Sequence, residues 1–217
     1  MKQWKRKFVA AMGGLAVFLL WTVMVCRLDV QAIGPRGSTV GLADLNRWFH
    51  QWTGVHFTLY DVTDWLGLVP VGVCMGFGIL GLVQWIRRKD IRRVYFSILT
   101  LGGFYLVVMA AYLLFEEFAV NYRPVLIGGY LEASYPSSTT LLVLCVMPTA
   151  ILQLKTRIRN RGFRRVVTWG ITAFMIFMVV GRLISGVHWL TDIIGGVLLS
   201  GGLVMTYAAV CAAKEEN

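Results

Sequence analysis

Residues 94–115 read VYFSILTLGGFYLVVMAAYLLF, with Arg92 and Arg93 directly before the run and Glu116 and Glu117 directly after it. The run carries no charge, and about 20 apolar residues are what a helix needs to cross the hydrocarbon core of a bilayer. An amphipathic soluble helix would show a polar face, and this segment has none. Five further apolar runs lie at 8–26, 65–86, 137–154, 166–183 and 190–212. Inside lipid every backbone N–H and C=O must be paired within the protein, so each run is predicted to be helical. The expected fold is all-α, a polytopic membrane protein with a six-helix transmembrane bundle, in a single domain over residues 1–217.

Composition points the same way. Hydrophobic residues make up 57% of the chain and charged residues 15%, with a mean hydropathy of +0.67. A soluble domain of this length has no core large enough to hide that much apolar side chain. The net charge of +10 would suit a nucleic-acid binder, but its distribution does not. Basic residues gather at Lys2, Lys5, Arg6 and Lys7; at Arg87, Arg88, Lys89, Arg92 and Arg93; and at Lys155, Arg157, Arg159, Arg161, Arg164 and Arg165. With Lys214 these clusters hold 16 of the 21 lysines and arginines, and each flanks an apolar run. That is the positive-inside pattern, so a bilayer rather than a nucleic acid is the expected partner. It predicts a multi-pass protein of the cell membrane with both termini cytoplasmic and residues 27–64, 116–136 and 184–189 outside. The first run is long for a signal peptide and is followed only by a weak cleavage-like Val30-Gln31-Ala32, so it reads as an uncleaved span.

Within the first outer segment, VGLADLNRWFHQW at 40–52 sets Leu42, Leu45, Trp48, Phe49 and Trp52 near one helical face. Such a helix lies in the headgroup layer or caps the bundle. Cys26, Cys74, Cys145 and Cys211 are far apart and show no disulfide or metal-binding spacing, so neither metal nor cofactor is expected.

Polar residues at membrane depth need partners or a task. The predicted topology brings Arg123-Pro124, the run Pro136-Ser137-Ser138-Thr139-Thr140, Arg182, and His188 with Asp192 to the same face. His188 and Asp192 are four apart, on one helical face, where a carboxylate can fix the imidazole tautomer. Arg123 and Arg182 offer guanidinium forks that match phosphate oxygens. The Ser and Thr residues after Pro136 read as a helix start, whose unpaired N–H groups attract anions.

The order Arg-Pro, Pro-Ser, and Arg-x5-His-x3-Asp resembles the type 2 phosphatidic acid phosphatase superfamily, most closely in its third motif, Arg182 to Asp192. The family places Lys-x6-Arg-Pro, Pro-Ser-Gly-His and Ser-Arg-x5-His-x3-Asp on six membrane helices. The resemblance implies a metal-independent lipid phosphatase whose substrate is a lipid phosphate or diphosphate. It implies that His188 attacks phosphorus to form a phosphohistidine and that Asp192 orients it. Arg123, Arg182, Ser137, Ser138 and Thr139 would form the phosphate cradle. Four positions differ: Glu116 stands at the family's first-motif Lys, Ser138 at its second-motif Gly, Thr139 at its second-motif His, and Gly181 at the Ser opening the third. A threonine hydroxyl is too weak an acid to protonate a leaving group. Either the leaving group is itself a phosphate, as in a polyprenyl diphosphate, or Glu116 or Glu117 supplies the proton. The alternative is a catalytically inactive lipid-phosphate binding protein or a lipid transporter of the same fold.

Overall fold

The computed structural model describes residues 2–216. Helix α1 spans Gln3–Arg27, α2 Ala43–Thr53, α3 Phe57–Leu66, α4 Leu68–Arg88, α5 Phe96–Glu117, α6 Ser138–Arg157, α7 Arg161–Ile184 and α8 Leu190–Glu215. Helices α3 and α4 run on as one 32-residue apolar stretch, Phe57–Arg88, so six segments are long and apolar enough to cross a membrane. The chain is thus a multi-pass, all-helical membrane protein, as expected from its apolar runs.

The helix ends follow local chemistry. Asn160 caps α7 by accepting from the Phe163 N–H at 3.0 Å, which starts the helix just ahead of Arg161, Arg164 and Arg165. Pro70 is tolerated because it sits in the first turn of α4, where its missing N–H has no intrahelical acceptor. The second span begins at Phe57, a full two turns before the predicted 65. Tyr60, Asp61, Thr63 and Asp64 interrupt the apolar pattern there and made the segment read as loop.

Helices α6 and α8 form the interior, and α1, α3–α4, α5 and α7 surround them with outward faces rich in exposed Leu, Val, Ile and Trp. Helix α1 packs along α8 antiparallel, with Trp21 Nε1 donating to the Thr191 carbonyl at 3.2 Å. The two backbones meet at Gly14 and Gly202: a Cβ on Gly202 would lie 2.7 Å from Leu15 Cδ2 and 3.1 Å from its backbone nitrogen. Small residues allow this because lipid provides no hydrophobic drive between helices, and close van der Waals contact must hold them. At one end Phe18, Phe115 and Tyr135 pack as a trio with centroids 5.8–6.4 Å apart, and the Tyr135 hydroxyl pairs with Thr22 Oγ1 at 2.7 Å. That trio fastens the 118–137 loop to the bundle. At the opposite end Gln153 and the Tyr207 hydroxyl both donate to the Ser97 carbonyl, tying α5, α6 and α8.

Helix α2 docks by one side and exposes the other. Asn46 is fully buried; its Nδ2 donates to the Gly41 carbonyl and to Thr191 Oγ1, and its Oδ1 accepts from the Thr191 N–H. Trp48 and Trp52 project away, largely exposed. The helix therefore caps the start of α8 while presenting an aromatic face of the kind that sits at a membrane surface.

Candidate active site

Four elements converge at one end of the bundle. Helix α7 delivers Arg182 from its last turn, and residues 185–189 deliver His188. The tight turn needs Gly186, whose φ is +68° and whose missing side chain leaves room for the Gly54 carbonyl, 1.9 Å from where a Cβ would stand. The first turn of α8 supplies Asp192, and the 118–137 loop supplies Arg123. All four polar side chains are buried: Arg123 8%, Arg182 1%, His188 3% and Asp192 0% exposed.

The predicted direct bond between His188 and Asp192 is not present. His188 Nδ1 lies 3.9 Å from Asp192 Oδ2, and Ser134 fills the gap. Its hydroxyl accepts from His188 Nδ1–H at 3.0 Å and donates to Asp192 Oδ2. Asp192 also accepts from the Trp189 N–H at 2.9 Å and from Asn121 Nδ2 at 3.1 Å, so the carboxylate closes the start of α8 as well. With the proton on Nδ1, the Nε2 lone pair faces two guanidinium groups, Arg123 Nη1 and Arg182 Nη2, each at 3.4 Å. Burial, then Arg123, then Arg182 push the His188 pKa well below its ordinary value, so the ring is neutral at neutral pH.

The arginines are held from behind. Tyr60 lies under both, its ring centroid 4.8 Å from Arg182 Cζ and 5.9 Å from Arg123 Cζ. Glu132 Oε2 stands 3.0 Å from Arg123 Nε and Asp64 Oδ1 3.5 Å from Arg182 Nη1, but both lie off the line of a hydrogen bond. Arg182 Nε and Nη1 and Arg123 Nε are therefore left without hydrogen-bond partners. Unpaired buried donors around one imidazole are the chemistry of an anion site.

Beside His188 is a cavity of about 230 Å³, lined also by Arg123, Glu116, Glu132, Ser134 and Ser138. It adjoins an apolar groove of about 530 Å³ between α4, α5 and α6, the two sharing Tyr112, Ser138 and Leu141. Of the predicted cradle, Arg123 and Arg182 converge on His188, Ser138 lines the cavity, and Ser137 is buried against the first turn of α8, its N–H donating to the Asp192 carbonyl at 3.1 Å. Thr139 does not: it lines the apolar groove with Asp64 and Leu142. One residue along a helix is a rotation of about 100° from the next, enough to turn its side chain from the cavity. Glu116 lines the cavity but is exposed rather than buried, and the equally exposed Glu117 is outside the lining. Gly181 is explained by packing, since a Cβ there would come 2.7 Å from Thr63 Cγ2. Ser134, Asn121, Tyr60 and Asp64 carry no sequence signal that marks them as part of the site.

Fold and site together define a six-span membrane protein with a buried His–Ser–Asp chain beneath two guanidinium groups. The profile of the PAP2 superfamily matches residues 72–215, and the chain belongs to that superfamily. Its fold is similar to a crystal structure described as the first transmembrane PAP2 type phosphatidylglycerolphosphate phosphatase from Bacillus subtilis. The TM-score is 0.55 over 95% of this chain and 97% of that one, at 17% sequence identity. A comparison with curated proteins gives no match.

Proposed function

We propose that this chain is a metal-independent lipid phosphatase in which His188 is the nucleophile. The carrying observation is the Nε2 lone pair of His188 set 3.4 Å from a nitrogen of both Arg123 and Arg182, with Nδ1–H committed to Ser134. A phosphoryl group drawn in by the two guanidinium groups meets that lone pair. Nε2 bonds to phosphorus, the bond from phosphorus to the leaving oxygen breaks (the lipid hydroxyl oxygen of a monophosphate, the bridging oxygen of a diphosphate), the electron pair leaves with that oxygen, and a phosphohistidine forms. The positive charge that develops on the ring is stabilised through Ser134 by the Asp192 carboxylate. Water then attacks phosphorus, the P–N bond breaks, and phosphate leaves with Nε2 free again.

The substrate is a lipid phosphate or diphosphate whose chains occupy the apolar groove, reached sideways from the bilayer. The positive-inside bias supports an extracytoplasmic position for this end of the bundle, in the cell membrane. The polar cavity carries no buried acid, and Thr139 faces the groove, which favours a leaving group that needs no proton, as in a polyprenyl diphosphate. Glu116 is the remaining proton source for a monoester. The same absence also favours a second reading, a protein that binds lipid phosphates without turning them over.

The deciding experiment is metal-free phosphate release by purified protein from a polyprenyl diphosphate, phosphatidic acid and phosphatidylglycerol phosphate, with His188→Ala beside each. Release that vanishes in the variant, with an acid-labile phosphoprotein trapped from the wild type, is expected. Tight binding of these lipids with no release, unchanged in His188→Ala, would establish the binder.

A further inference from the structure

At the end of the bundle away from His188, where α6 gives way to α7, a cavity of about 250 Å³ is lined by Lys155, Arg161, Arg164, Arg165, Thr168 and Trp169. Arg161, Arg164, Arg165 and Thr168 follow i, i+3, i+4, i+7 spacing, so α7 presents them on one face toward Lys155 of α6. The walls are fixed to each other: Arg164 Nη1 donates to the Lys155 carbonyl at 3.2 Å. None of the four cations pairs with a carboxylate among the described residues. The start of α7 adds its own positive dipole end. Four like charges around one cavity repel one another, and an anion there relieves them.

What lies next to the cavity says which kind of anion. Trp169 is on its wall and 69% exposed. Charged groups at the helix start followed one turn after Arg165 by an exposed indole on the cavity wall match the headgroup-to-chain order of a phospholipid. Orientation in the membrane accounts for a basic loop. It does not require the cations to converge on a cavity, nor to lean over an apolar wall.

We infer that this cavity is a binding site for the phosphate headgroup of an anionic phospholipid, on the face opposite the candidate active site. The site is independent of any catalysis by His188. Free phosphate shares the headgroup chemistry but gains nothing from the Trp169 wall.

The test is native mass spectrometry of the full chain titrated with phosphatidylglycerol, phosphatidylcholine or inorganic phosphate. One phosphatidylglycerol per chain should be retained where phosphatidylcholine is not. R161Q/R164Q/R165Q should weaken that binding on the order of 100-fold, and K5Q/R6Q/K7Q, which alters another basic cluster, by less than about threefold. Equal loss in both triples, or equal retention of the two lipids, would overturn the site. Displacement of phosphatidylglycerol by millimolar inorganic phosphate would overturn its assignment to a lipid. Should the first triple not fold, R161Q and R165Q alone, each expected to weaken binding about fivefold, give the same decision.

Discussion

Replacing Ser134 by alanine removes the only group standing between His188 Nδ1 and Asp192 Oδ2. The two atoms are 3.9 Å apart, beyond hydrogen-bond range, and neither can move freely. Asp192 is held by the Trp189 N–H and Asn121, and His188 sits in a turn set by Gly186. The variant therefore loses the bond that fixes the tautomer and the path by which Asp192 stabilises a charged ring. A hydrogen bond to a charged group is worth about 1.5–3 kcal/mol, so turnover should fall about 10- to 100-fold, with little change in KM. Ser134→Thr, which keeps the hydroxyl, should recover most of it. Phosphate release measures the rate, and ¹⁵N shifts of labelled His188 report the tautomer directly: Nδ1–H in the wild type, a mixture in Ser134→Ala. Full activity with an unchanged Nδ1–H signal in Ser134→Ala would refute the relay and restore a direct His–Asp pair.

Asp192→Asn should lower both turnover and thermal stability, because its amide would oppose either Asn121 Nδ2 or the Ser134 and Trp189 donors. A buried donor left unpaired costs about 1–3 kcal/mol, read as an earlier unfolding transition in detergent, and a stable but slow variant would argue against the helix-closing role. Thr139→Ala should cost less than about threefold in turnover of a diphosphate, since its side chain faces the lipid groove; a severe loss would give Thr139 a role in the chemistry. Because the His188 pKa is depressed in the fold, the unfolded chain binds more protons below about pH 6.5, and stability should fall as pH drops from there by up to about 1.4 kcal/mol per unit. His50, also depressed by burial, acts in the same sense, so the signature is the difference in unfolding temperature between wild type and His188→Gln from pH 7.5 to 5. No difference would mean that His188 is not held neutral.

The six spans were legible because lipid demands long apolar runs, and a run such as 94–115 announces itself without any tertiary information. The start of the second span was not, for a reason tied to the site. Tyr60 and Asp64 are polar because they face Arg123 and Arg182, and polarity inside a span imitates a loop. Arg182, His188 and Asp192 were readable from spacing, since all fall within eleven residues around one helix break. Ser134 was not. It is a single small residue in a 20-residue connection, and its role comes from a contact 54 and 58 positions away along the chain. Thr139 follows Ser138 directly in sequence yet lines the groove, because one step along the helix rotates its side chain there.

The carboxylates beside the arginines have a consequence for what the site will accept. Arg123 rests against Glu132 and Arg182 against Asp64, so the two guanidinium charges are already balanced, and binding a phosphate there amounts to exchanging one anion for another. A phosphodiester headgroup brings a single negative charge and has little advantage over two resident carboxylates. A terminal phosphate or diphosphate brings more charge and oxygens that can reach both guanidinium groups at once. On the proposed reading, a protein surrounded by phosphodiesters at every point of its perimeter thereby keeps a terminal phosphate from being outnumbered.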